Sequence, residues 1–364
     1  KASGVDIDAG NEVVRRIRSL ARGTFTAGVL SEIGSFGGLF RLGDAGGDDA
    51  VLVASADGVG TKLRVAFMTG VHTSIGVDLV NHCVNDILVQ GASPLFFLDY
   101  LATGRLNPDV AVQIVEGLAV ACRANGCALL GGETAEMPGF YADGEYDAAG
   151  FIVGVVPRRH LIDGKGITPG DVLIGLPSSG LHTNGYSLAR RIAFDTAGLS
   201  VETIVPALGR SIGEALLVPH RSYLPVVRPF FGDQSGPALI KGMAHITGGG
   251  ITDNLPRILP WQVPAIFQWL QQAGGVPDAD MLRTFNMGIG LIIACAPDRE
   301  RELIDGLAGS GEPEAVRIGQ IRAGGEGVAD GGNPAAGDAD IRRHGADAGN
   351  DQRAVADDEV EAGS

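Results

Sequence analysis

The stretch VLVASADGVGTKLRVA, from Val51 to Ala66, sets an apolar run against an acid, two spaced glycines, a threonine and a lysine. Its first residues are apolar and mostly β-branched, which predicts a buried strand. Asp57 to Lys62 then forms a sharp turn at that strand's end. Gly58 and Gly60 allow close backbone approach to a ligand, Asp57 offers carboxylate oxygens, and Lys62 offers a compact charge for phosphate. No segment fits the Walker pattern G-x-x-x-x-G-K-[ST], and no G-x-G-x-x-G sits between a strand and a helix. Taken alone, the six residues are equally compatible with an ordinary glycine turn carrying a surface lysine.

A length of 364 residues suggests two domains. The 45% hydrophobic content supplies ample core, but with aromatics at only 5% that core must be Val, Ile, Leu and Ala. The formal charge is −15. Ten acids and three arginines follow Arg322, so the tail carries −7 and the body −8. Neither part has the basic footprint of a nucleic-acid binder. An acidic enzyme acting on an anionic substrate must neutralise it locally, with a metal ion or helix N-termini. The four cysteines match neither a disulfide framework nor zinc spacing, and read as buried thiols. No apolar run is long enough to cross a membrane and no signal peptide is visible, so a cytoplasmic protein is expected. Only four of the 28 basic residues are lysines, and one of them falls in the glycine turn.

Further along, Asp8 to Arg22 has the period of a helix. The glycine-rich GSFGGLF (34–40) reads either as a plain connector or as a loop able to close over a nucleotide, with Gly37 and Gly38 at its centre. In SIGVDLVNHCVNDILVQGASP (74–94), Val80, Val84, Ile87 and Leu88 form an apolar helix face. Asp78, His82 and Asn85 make a polar stripe on another, flanked by Asn81 and Asp86. A solvated surface is the usual reading of such a stripe. This one carries no Lys, Arg or Glu and is rich in metal-type and hydrogen-bonding groups. A strand, LFFLDYLATG, precedes a helix opened by Asn107-Pro108 and closed near Gly126. CALLGGETAEMPG repeats the pattern of an apolar strand running into glycines and an acid, Glu133. Acids at strand ends in an α/β layer tend to cluster in space.

In the second half, Thr183 or Asn184 of LPSSGLHTNGYSLARRI is placed to cap a helix carrying Tyr186, Leu188 and Ile192. His182 carries the one side-chain type whose unperturbed pKa lies near neutrality, and Ser178, Ser179, Gly180 and Asn184 suit a phosphate or ribose contact. A histidine that merely supports the helix is the competing reading. Gly248 to Gly250 precede Thr252-Asp253 and a helix start, a plausible anion site. Beyond Ala323 the chain is Gly, Ala and Asp and cannot bury a core, which predicts a disordered tail.

In this order, SGVDIDAGN, SFGGLF, DGVGTKL, GVDLVNHCVNDILVQGASPLFFLDYLATGRL, GGETAEMPGFY, AGFIVGVV, SSGLHTNGYSL, HITGGGITDNLPRILP and TFNMGIGLII resemble the phosphoribosylformylglycinamidine cyclo-ligase (AIR synthetase) family. The likeness runs from Ser3 to about Ile321. It implies a two-domain α/β (α+β) fold: an N-terminal helix and glycine-rich loop (1–50), an ATP-binding domain (51–165), a C-terminal α/β domain (166–322) and the tail (323–364). The N-terminal sheet of such proteins joins that of a second subunit in a dimer barrel, so a homodimer is expected. The implied activity is ATP-dependent ring closure in purine biosynthesis, with a phosphoribosyl substrate, ATP and Mg2+, and no nucleic acid or membrane partner.

The resemblance further implies that Asp57 and Asp86 are metal ligands with Glu133 as a third carboxylate. Lys62 contacts phosphate, and Gly37, Gly38, Gly58, Gly60, Thr61, Asn184, Gly248 and Gly249 line the nucleotide. His182 is expected to orient the reacting group or carry its proton. Arg105, His220 and the His82-Cys83 pair depart from common family wording. Other superfamily enzymes (formylglycinamidine synthase, selenophosphate synthetase, thiamine-phosphate kinase) and a non-catalytic ATP-binding dimer are the alternatives.

Overall fold

The computed structural model describes residues 7–31, 38–42, 49–231, 239–247 and 263–322. The first half is built on a four-stranded sheet, order β1-β4-β2-β3. Its strands are β1 (Ala50–Gly58), β2 (Ser93–Thr103), β3 (Ala128–Glu136) and β4 (Tyr146–Pro157). β4 runs antiparallel to both β1 and β2, and β2 runs parallel to β3. Helices α1 (Ile7–Arg22), α2 (Leu63–Thr69), α3 (Thr73–Leu88) and α4 (Pro108–Ala124) complete this half. Asn107 caps α4 through its side chain, which accepts the Asp109 N–H at 3.0 Å.

α3 packs on β1, β2 and β4, burying Leu79, Val80, Val84, Ile87 and Leu88 against Val53, Phe97 and Ile152. Each such side chain contributes roughly 1.5–3 kcal/mol on burial. α3 and α4 cross almost backbone to backbone, because a Cβ on Gly76 would sit 2.1 Å from the Ile114 carbonyl oxygen. A Cβ on Gly117 would sit 2.0 Å from that of Thr73. The opposite sheet face is open within one chain: Leu52 is 58% exposed and Phe151 44%. In register, Phe151 lies across from Ala56 on one side and Leu98 on the other.

The second half carries an antiparallel sheet, order β10-β5-β9-β8, of β5 (Val172–Pro177), β8 (Gly242–His245), β9 (Ile289–Cys295) and β10 (Val316–Gln320). Around it lie α5 (Tyr186–Arg190), the hairpin β6 (Ile204–Val205) and β7 (Arg210–Ser211), and helices α6 (Ile212–Leu216), α7 (Leu224–Val227), α8 (Ala265–Gly274), α9 (Asp278–Thr284) and α10 (Glu300–Gly309). β9 is buried along its whole length, as its continuous apolar sequence requires. Buried side chains of both halves join one contiguous core. Among the described residues no helix is long and apolar enough to cross a membrane. All four cysteines are buried and unpaired.

Neither Thr183 nor Asn184 caps α5. Gly185, at φ +77°, occupies the cap position, since the Thr183 hydroxyl is engaged by His82 and Asn184 turns towards Thr183. Gly37, Gly248, Gly249 and the tail lie outside the described residues.

Candidate active site

The polar stripe of α3 is not a solvated face. Asp78 and Asn85 are wholly buried, and Asn81 and His82 nearly so. Asp78, Asn81 and Asn85 grip the backbone of a segment that arrives from the second half between α6 and α7. The His220 N–H donates to Asp78 Oδ1 at 2.7 Å, and Asn81 Nδ2 donates to the His220 carbonyl at 2.7 Å. Asn85 Nδ2 donates to the Arg221 carbonyl at 2.9 Å, while Asn85 Oδ1 accepts the Tyr223 N–H at 2.9 Å. Positions 78, 81, 82 and 85 share one helical face, so a single element clamps a whole strap of chain.

Lys62 belongs to the same joint. Its ammonium has no solvent exposure and donates to Asp78 Oδ1 at 2.9 Å, the Val218 carbonyl at 2.8 Å and the His182 carbonyl at 3.2 Å. Three acceptors use its three N–H groups. The expected phosphate contact is therefore corrected: in this structure Lys62 ties the glycine turn to the second half. Burial opposes charge on both partners, pushing Lys62 down and Asp78 up, while their mutual attraction pulls each back.

The structure brings Asp57 and Asp86 together, from the end of β1 and the last turn of α3. His82 Nε2 lies 2.6 Å from Asp57 Oδ2 and 3.8 Å from Asp86 Oδ2, so the two carboxylates flank one imidazole nitrogen. Asp86 also accepts Ser55 Oγ–H at 3.0 Å and His245 Nδ1–H at 2.8 Å. The hydrogen bond from His82 holds Asp57 below the usual carboxylate range. Burial works against charge on His82, but Asp57 and Asp86 outweigh it and raise the imidazole. Asp57 keeps 43% of its side chain exposed and Asp86 25%, so both retain open lone pairs. Two carboxylates with solvent-facing oxygens suit Mg2+, which takes few protein ligands and fills its octahedron with water and phosphate oxygens.

Glu133 does not join them. It stands on β3, opposite Tyr100, with β4 and β2 between it and Asp57. Three inter-strand spacings put it about 14 Å away, so the expected third ligand is corrected by the strand order. Gly38 lies at that same far edge, against Leu130.

The rest of the glycine turn faces the second half. Gly60 adopts φ +62°, a left-handed conformation that suits glycine, with no atom near its Cβ position. Thr61 Oγ1 and Ser187 Oγ meet at 3.2 Å and Lys62 bonds the His182 carbonyl, so this end of the turn borders α5 and the loop that carries Asn184. His182 is also corrected. It is 1% exposed, at φ +62°, accepts the Ser179 N–H at 3.2 Å and stacks on His220 with centroids 3.9 Å apart. A side chain so enclosed supports the site from behind; it does not touch a substrate in this conformation.

Residue-by-residue reading missed His245, Thr183 and Ser55, which hold the acids or their histidine partners in place. The available signal was that HITGGG and LHTNGYS each set a histidine beside a hydroxyl in a glycine-rich segment. Which acid each would meet had no local mark.

Residues 37–156 match the family description "AIR synthase related protein, N-terminal domain" and residues 168–331 its C-terminal counterpart. Fold and site thus define an AIR-synthase-related α/β protein. The sequence is 53% identical to the phosphoribosylformylglycinamidine cyclo-ligase of Trichlorobacter lovleyi over 89% of this chain and 94% of that protein. It is 51% identical to that of Geotalea daltonii, over 88% and 94%. The chain belongs to the phosphoribosylformylglycinamidine cyclo-ligase family. Among solved structures, the thiamine-monophosphate kinase of Stenotrophomonas maltophilia superposes with TM-score 0.61 at 18% identity, covering 86% of this chain and 94% of that one. The hydrogenase maturation protein HypE in complex with ATP superposes with TM-score 0.57 at 19% identity, covering 86% and 87%. At these identities the two structures speak to the fold alone.

Proposed function

We propose that this enzyme closes formylglycinamidine ribonucleotide to 5-aminoimidazole ribonucleotide at the expense of ATP, releasing ADP and phosphate in purine biosynthesis. The observation that carries the reading is the Asp57–Asp86 pair, set at a strand end beside the glycine turn in a chain half identical to cyclo-ligases. The formamide oxygen is a poor leaving group. Phosphoryl transfer from ATP converts it to a phosphate ester, an amidine nitrogen of the same molecule attacks the activated carbon, and phosphate departs as the nitrogen loses its proton. Such chemistry is chiefly positioning and charge stabilisation.

Asp57 and Asp86 would hold Mg2+, which when bound neutralises charge on the transferring phosphoryl group. His82 and His245 keep the two carboxylates aimed, each donating one ring N–H. The backbone at Gly58, Gly60 and Thr61, with Asn184 opposite, is suited to line the triphosphate. The outward sheet face of Leu52, Leu98 and Phe151 supports a homodimer, because an apolar face of this kind is normally covered. A cytoplasmic location is in keeping with reduced, buried cysteines.

Incubation with ATP, Mg2+ and formylglycinamidine ribonucleotide, scored for aminoimidazole product and ADP in equal amounts, tests the reading. ATP turnover with thiamine phosphate or selenide and none with the ribonucleotide would overturn it in favour of another superfamily reaction.

A further inference from the structure

The helical turn Gly60–Lys62 leads directly into α2 and packs against α5. There Thr61 Oγ1 and Ser187 Oγ lie 3.2 Å apart across the joint between the two halves, both on exposed residues. Each hydroxyl is followed three residues later by an arginine, Arg64 after Thr61 and Arg190 after Ser187. Helical residues three apart share a face, so two hydroxyls and two guanidiniums occupy one patch. The two cations sense each other. Burial first, and repulsion from Arg64 second, lower Arg190 below the usual arginine value, and the attraction of Asp195 does not make up the difference.

Neither arginine is used up. Arg64 donates Nη1–H to Glu145, which fixes its direction, yet its side chain stays 49% exposed. A guanidinium has five N–H groups, so others remain for a ligand. Arg190 Nε is fully enclosed and has no hydrogen-bond partner among the described residues. A buried donor without an acceptor is costly, and swinging this one onto an incoming anion breaks no Nε bond. Arginine forks with hydroxyls are the metal-free way to hold a phosphate monoester. A triphosphate instead calls for Mg2+, which the Asp57–Asp86 pair supplies. The substrate of the proposed reaction carries one phosphate monoester, at the end of its ribose remote from the formyl group that reacts. Thr61 is four residues beyond Asp57, so the two backbones are at most about 14 Å apart and one extended ligand can reach both.

We propose that Arg64 and Arg190, with the hydroxyls of Thr61 and Ser187, bind the phosphate monoester of the phosphoribosyl substrate at the far end of the glycine turn from the magnesium site. The identity of that substrate rests on the ring-closure reading. A phosphate between the two guanidiniums relieves their repulsion, and each hydroxyl turns its proton to a phosphate oxygen. Because Arg64 and Arg190 come from different halves, the bound phosphate spans the joint.

Wild type, Arg190→Met, Arg64→Met and a control at an exposed neighbour, Arg191→Met, are assayed with formylglycinamidine ribonucleotide and with its dephosphorylated riboside. Arg190→Met and Arg64→Met should each lower kcat/KM for the ribonucleotide about 10- to 100-fold, the loss of a charge-assisted contact. The riboside kcat/KM and the KM for ATP should stay at the wild-type values, and the control should match wild type throughout. Arg190→Lys, which keeps a charge, should recover part of the loss. Circular dichroism establishes folding, and either Met variant carries the test if the other does not fold. Equal losses on ribonucleotide and riboside, or a raised KM for ATP with the ribonucleotide unaffected, would overturn the proposal. A second readout needs no turnover: the 31P resonance of ribose 5-phosphate should broaden with wild-type enzyme in the absence of ATP and not with Arg190→Met. A line unchanged by wild type would also overturn the proposal. Broadening without product from the ribonucleotide would refute ring closure and leave the sugar-phosphate site standing.

Discussion

Replacing Lys62 by Met separates a structural joint from a phosphate contact. The ammonium is wholly buried and serves Asp78, the His182 carbonyl and the Val218 carbonyl. Met keeps most of the aliphatic volume but leaves the Asp78 carboxylate buried with only the His220 N–H as partner. Breaking one side of a buried pair costs about 3–5 kcal/mol. Adding Asp78→Asn removes the stranded charge while keeping an acceptor for His220, so the double variant should recover part of the loss. Two carbonyls still lack a donor in that variant, leaving a residual cost of about 1–3 kcal/mol. The assay is urea unfolding of wild type, both single variants and the double variant, closed as a thermodynamic cycle. A phosphate-binding lysine would behave differently: Lys62→Met would raise the KM for ATP with the unfolding midpoint unmoved. That result, or single variants whose costs simply add, would refute the joint.

Asp57→Asn and Asp86→Asn should each lower kcat at least about 100-fold in a folded protein, the loss of several kcal/mol of charge stabilisation. Glu133→Gln should leave the magnesium dependence of the rate unchanged; a changed dependence would return it to the site. Burial depresses His182 and His220 well below the ordinary histidine value, so the unfolded chain takes up protons first as pH falls. Their stabilising effect is complete above the unfolded pKa and should drain away below about pH 6.5, at about 1.4 kcal/mol per pH unit for each ring until its folded pKa is reached. His82 is raised and works oppositely, its contribution being lost as pH climbs through its folded value. Unfolding free energies measured at pH 5.5 and 7.5 should therefore differ less in His220→Asn than in wild type. Gly76→Ala should destabilise markedly, because its Cβ would enter the backbone of α4, and a melting temperature unchanged from wild type would contradict that crossing.

Local pattern sufficed for the elements around the site. Period and end signals placed the strand into Asp57, the helix of the 74–94 segment and the Asn107 cap, because each depends on neighbours a few residues away. The chemical oddity of the α3 stripe was legible for the same reason: a face with Asp, Asn and His but no Lys, Arg or Glu is unlike a solvated one. Partners were not legible. Glu133 and Asp57 have the same local signature, yet strand order sends Glu133 to the far edge of the sheet, and order is set by pairings distant in sequence. Lys62 reads as a free cation beside glycines until Asp78 and the carbonyls of His182 and Val218 close around it. Burial then turns the same ammonium from a ligand for phosphate into a strut between the two halves. His82, His182, His220 and His245 are scattered along the chain, and only the packing of α3 against the second half makes them one cluster.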